Sequence, residues 1–132
     1  MNNDKKTIMA STCLLISIAD SDLVIEKKEL SLIKEIISDF FQVDNNNIDD
    51  IILESQKSYL ESTDLFSYSK TINQEFTYQD KLDFICCIYE VAFADEKLHY
   101  MESHTIKKIA DMINVEKSDL IGLKKEMQKI LK

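Results

Sequence analysis

Two pairs of carboxylates stand out by their spacing. Asp22 is followed seven positions on by Glu29, and Asp95 and Glu102 repeat that interval 73 positions further along. In each copy an aliphatic residue, Ile25 or Leu98, lies three after the Asp. An Asp in the turn before a helix and a Glu in that helix's first turn are both drawn to the positive N-terminal end, so both carboxylates can approach one point. Two chemistries follow. In the first, each acid satisfies orphan amides as a cap. A full capping box would place Ser or Thr at 26 and 99, where the chain has Glu26 and His99. In the second, the two copies pack together, and four clustered carboxylates raise one another's pKa values until a cation intervenes. Oxygen donors of this kind suit a hard divalent ion such as Ca²⁺ or Mg²⁺.

The elements that must position these acids are helices. The chain has 132 residues, a formal charge of −8, one Gly and no Pro. A β-sandwich or a Gly-rich phosphate-binding fold needs turn glycines, whereas short helix connections can be made from Asn, Asp and Ser. Apolar periodicity places helices over about 5–19, 26–41, 48–60, 65–76, 77–94, 101–113 and 118–131. Gln42 to Asn47 reads as a turn, Thr77 with Asp80 as a capping box, and Ser118 as the cap of the last helix. Inward stripes comprise Ile8, Leu15 and Ile18; then Ile25, Leu32, Ile33, Ile36 and Phe40; and, in the fifth helix, Leu82, Ile85, Tyr89 and Ala92. The aromatics Phe40, Phe41, Tyr59, Phe66, Tyr68, Phe76 and Phe84 are expected in the core or at its edge. No strand pattern survives, so the expected fold is an all-α bundle of about seven helices, a single domain over residues 1–132.

The 73-residue register extends beyond the acids. Cys13, Leu15, Ile18 and Ala19 fall on Cys86, Ile88, Val91 and Ala92, and Ile33, Lys34 and Ile36 on Ile106, Lys107 and Ile109. The chain is therefore read as two helical hairpins of one design. The first helix has an internal counterpart, which argues against reading Lys5 to Ala19 as a secretory signal. No apolar stretch approaches the roughly 20 residues of a membrane span. Cys13, Cys86 and Cys87 lack metal-binding spacing and are read as reduced core residues of a cytoplasmic protein.

Other constellations fail on their spacing. Glu96 with His99 matches half of a di-iron Glu-x-x-His pattern, but Met101 stands where His104 would need its Glu. The loop from Asp20 has Ile25 and Ser31 where an EF-hand requires Gly and Glu. His99 and His104 have no Ser or Cys partner at recognisable spacing, so nucleophilic catalysis has no positive signal. An acidic chain without Arg repels polyanions, and nucleic acid is not an expected ligand. Charge is segregated: seven acids face Lys57 alone between Asp39 and Asp64, whereas residues 106–132 hold seven lysines against four acids. Solvated faces explain both blocks. The competing reading is electrostatic docking of the basic last helix on an acidic partner, including a second copy of the chain.

At the paired acids the chain resembles the TerB-like family, named for a bacterial tellurite-resistance protein and related to the N-terminal domain of the membrane-anchored co-chaperone DjlA. The resemblance rests on Ala94-Asp95-Glu96-Lys97-Leu98 with Glu102, on Ser21-Asp22-Leu23-Val24-Ile25 with Glu29, and on Ile72 to Phe76, Tyr89 to Asp95 and Ile106 to Asp111. It is strongest toward the stand-alone branch. The turn glycine of the family pattern is replaced by Leu23 and Glu96. The resemblance implies a fold of about seven helices, a divalent-metal site at Asp22, Glu29, Asp95 and Glu102, and no organic cofactor. It also implies a tellurite or stress-response role exercised through protein partners, with no catalytic activity. A J-domain His-Pro-Asp tripeptide is excluded in a chain without Pro.

Overall fold

The computed structural model describes residues 4–19, 27–61, 64–94 and 100–130, the side chains at 45 and 100–102 excepted. Among them are seven helices and no strand: α1 Lys5–Ala19, α2 Lys27–Phe41, α3 Asn45–Glu61, α4 Leu65–Glu75, α5 Tyr78–Phe93, α6 Tyr100–Met112 and α7 Lys117–Ile130. α1 and α5 begin 73 residues apart, as do α2 and α6.

The bundle is organised around α1, which packs against α2, α3, α4, α5 and α6. Twelve of its fifteen residues are buried, so it lacks the solvent face of an ordinary amphipathic helix and forms the centre of the fold. A three-residue stripe understates this. Buried hydroxyls are tolerated there because they bond back to the helix's own carbonyls: Ser11 Oγ donates to Thr7 O at 2.9 Å, Thr12 Oγ1 to Ile8 O at 2.8 Å and Ser17 Oγ to Leu14 O at 2.6 Å.

α2 presents Ile33, Ile36, Ile37 and Phe41 inward, with Leu32 and Phe40 only half-buried at the edge of the core. The inward face is thus rotated toward Ile37 and Phe41. Phe40, Phe41, Phe76 and Phe84 meet in an aromatic cluster with ring centroids 5.0 to 6.3 Å apart, within the range of favourable aromatic contacts. Phe66 does not join them: it points outward, 71% exposed, correcting its expected place at the core. Cys13 is fully buried, whereas Cys86 and Cys87 are half-buried against the core, and all three are free thiols.

With so little Gly, other residues make the turns. α2 and α6 both end in left-handed residues, Gln42 with φ 56° and Asn114 with φ 62°. Val43 N donates to Ser38 O at 3.1 Å and Val115 N to Ala110 O at 2.9 Å, the backward bond of a Schellman termination. α3 starts at Asn45, earlier than expected, because Asp44 acts before it. Its Oδ1 accepts from Asn46 N at 3.4 Å and its carbonyl from Ile48 N at 3.2 Å. Similarly, Ser118 lies inside α7 and does not cap it. The carbonyl of Glu116 accepts from Leu120 N, and Tyr78 Oη accepts from Glu116 N at 3.2 Å while donating to Asp119.

The Thr77 capping box forms as expected. Thr77 Oγ1 accepts from Asp80 N at 3.1 Å and Asp80 Oδ2 from Thr77 N at 3.0 Å. Thr77→Ala is expected to lower unfolding free energy by about 1 kcal/mol, measured by urea denaturation at unchanged m-value.

Candidate functional site

Among the four paired acids, the structure describes one side chain. Glu29 is the third residue of α2, and only 3% of it is exposed. Among the described residues, other acids at helix starts remain in contact with solvent. Asp64 is exposed where its Oδ1 accepts from Ser67 N at 3.2 Å, and Asp80 and Asp119 are half-exposed. Glu29 is distinguished by burial, since α2 packs against α1, α3 and α5. A carboxylate withdrawn from water needs compensation by positive charge or hydrogen bonds.

Asp22, Asp95, Glu26, Glu96 and His99 lie outside the described residues. Glu102 is the third residue of α6, the position Glu29 holds in α2, and its side chain lies outside the described ones. Among the described residues no group of three or more His, Cys, Asp or Glu side chains is placed to hold a metal ion. His104 is exposed on α6.

A second acidic locus goes unnoticed in the sequence. Glu35 and Asp39, one turn apart on α2, meet Glu90 of α5 around a recess of about 260 Å³ that Leu32, Phe40 and Cys87 also line. Burial raises the Glu90 carboxyl above the usual Glu value, and repulsion from Glu35 and Asp39 adds to it. The spacing of Glu35 and Asp39 was available as a signal; the approach of Glu90 depends on tertiary packing.

The raised value means the folded state holds the Glu90 proton more tightly than the unfolded chain. Ionised Glu90 therefore costs stability at neutral pH, and the cost fades as pH falls through the raised value and vanishes below the ordinary one. Glu90→Gln is accordingly expected to raise Tm at pH 7 and to leave it unchanged near pH 4, as followed by circular dichroism. An equal gain at both values would remove the ionisation of Glu90 as its cause.

The thiols offer no nucleophile. Cys13 Sγ donates to Ser55 O at 3.4 Å, and burial pushes its pKa up. Burial, then nearby acids, pushes Cys87 up to about 12 and raises Cys86. All three are protonated at neutral pH, and the thiolate is the form that attacks or binds metal.

The class defined so far is an all-helical domain wrapped around a buried central helix, with acids at its helix starts. A model of the family described as tellurite resistance protein TerB matches residues 8–125. The chain belongs to the TerB family. No curated protein and no solved structure gives a significant match. Among the described residues no helix is long and apolar enough to cross a membrane.

Proposed function

We propose that this chain is a non-enzymatic TerB-family protein of the tellurite or general stress response that binds a divalent cation of the Ca²⁺ or Mg²⁺ type through Asp22, Glu29, Asp95 and Glu102. Glu26 and Glu96 stand close enough in sequence to assist. The observation that supports this most is the burial of Glu29, 3% exposed, whereas among the described residues the helix-start acids Asp64, Asp80 and Asp119 are exposed or half-exposed. A cap works equally well at the surface, so burial is more than a capping role requires. The matching third positions of Glu29 in α2 and Glu102 in α6 support a duplicated hairpin with one acid from each copy. The ion would supply positive charge and tie together the connections leading into α2 and α6, and the protein would act through partners rather than by chemistry on a substrate.

The competing reading makes the acids helix caps in a structural interaction module, and it draws on Glu29 occupying the third helical position, where a capping-box Glu belongs. Thermal unfolding with Ca²⁺, Mg²⁺ or Mn²⁺ separates the two. Under the cation reading, one of these ions stabilises the wild type and does so far less in Asp95→Asn/Glu102→Gln. Under the capping reading, that double variant stays close to the wild type without metal, because Asn and Gln cap as Asp and Glu do, and no ion changes either protein.

A further inference from the structure

The described residues include a basic groove and, elsewhere, an acidic helix face carrying exposed leucines. α7 packs along α5 and leaves a groove against α6. One part, about 570 Å³, is lined by Lys107, Lys108 and Lys117 over a floor of Ala110, Val115 and Leu120. A second part, about 420 Å³, shares Lys107, Leu120 and Ile121 with the first and continues to Lys124 and Lys125. Five lysines thus border the groove against one aspartate, Asp111. Ile121, on its edge, is 56% exposed. The start of α7 is fixed by the Tyr78 hydroxyl, which holds both Glu116 N and Asp119, so that wall is tied to α5.

α3 has the opposite character. Leu53 is 64% exposed and Leu60 82%. Seven positions apart, they share one stripe, about a third of a turn round the helix from the buried Ile48, Ile52, Ser55 and Tyr59. Asp50 and Glu61 are exposed beside that stripe. Lys34 and Lys5 pair with Asp49 and Glu54, at 2.7 and 2.8 Å, which leaves Asp50 and Glu61 against the exposed Lys57, a face still acidic by one charge. The two leucines stand about 10 Å apart along the helix, and the α7 wall from Lys117 to Gln128 runs about 17 Å, so both fit within its length.

We infer that the α6–α7 groove receives the outer face of α3 from a second copy of this chain, with Leu53 and Leu60 on its apolar floor and Asp50 and Glu61 toward its lysines. Charge complementarity selects this occupant, because the same sequence carries both the basic groove and the acidic, leucine-bearing helix. The inference does not depend on cation binding. The two patches differ, so the contact is heterologous: it closes into a dimer if both chains can exchange helices, and otherwise propagates head to tail. Two turns of helix bury less than the roughly 800 Å² per partner of a standard interface, so association is weak and sensitive to salt.

Sedimentation velocity across a wide range of protein concentration tests this, at about 0.05 M and about 1 M salt. Wild type is expected to associate with rising concentration at low salt and to dissociate at high salt. Lys107→Glu/Lys124→Glu and Asp50→Lys/Glu61→Lys, each folded by circular dichroism, are expected to be monomeric alone and to associate when mixed, since every cross-contact is then charge-matched. Leu53→Ser/Leu60→Ser, which leaves the charges untouched, is expected to be monomeric. A wild type that stays monomeric at low salt, or charge-reversed variants that associate as the wild type does, would overturn the inference. So would binding to phosphatidylserine vesicles by a chain that does not self-associate, because the groove would then take an anionic surface.

Discussion

Phe84→Ala is expected to cost about 3–5 kcal/mol of folding stability, whereas Phe66→Ala should stay within about 0.5 kcal/mol of the wild type. The contrast rests on position alone, since both residues are Phe within helices. Phe84 is 1% exposed and contacts the rings of Phe40 and Phe76 at centroid distances of 6.0 and 5.8 Å. Truncating it removes apolar burial and leaves a cavity that neighbouring rings from α2 and the end of α4 cannot fill without distortion. Phe66 is 71% exposed and has little contact to lose. A domain of this size has about 5–15 kcal/mol in total, so Phe84→Ala should lower Tm by about 10–20 °C. Differential scanning calorimetry checks both variants, and comparable losses would place Phe66 in the core after all.

The second large effect concerns Glu29→Gln. At a hundredfold excess of cation over Kd, linkage stabilises the wild type by about 2.7 kcal/mol. Glu29→Gln should lose most of that gain, because an amide oxygen carries no charge to hold a hard divalent ion. The choice of Gln matters. A capping box accepts Gln at its third position as well as Glu, so a purely capping role leaves the variant's stability unchanged with and without metal. A loss confined to the metal-containing samples identifies a ligand; an equal loss in chelator identifies packing around the buried side chain. Unfolding in urea with and without each ion makes the comparison.

Much of the fold is legible from local pattern. Helix positions follow from apolar periodicity, and Thr77 with Asp80 forms the expected box because capping involves residues only three apart. Features set by tertiary packing are not legible in this way. The central place of α1 is masked by Ser11, Thr12 and Ser17, which look solvent-facing until their bonds to helix carbonyls are seen. Phe66 looks like core because an aromatic side chain alone says nothing about which way its helix faces. Asn45 to Asn47 suggest a turn, yet the amides after Asp44 are satisfied by Asp44 itself and the helix begins there. At the site, spacing places Glu29 in a first helical turn. Its burial follows from the packing of α1, α3 and α5 around α2, which no local pattern encodes.

Paramagnetic broadening by Mn²⁺, followed amide by amide in heteronuclear NMR spectra, tests cation binding most directly. It reports where the ion sits as well as whether it binds. The expected result is selective loss of signals from residues 20–30 and 94–103 at equimolar Mn²⁺, reversed by excess Ca²⁺ or Mg²⁺ and absent in Asp95→Asn/Glu102→Gln. Broadening centred instead on Glu35, Asp39 and Glu90, or spread evenly over the acidic surface, would contradict a site built from Asp22, Glu29, Asp95 and Glu102.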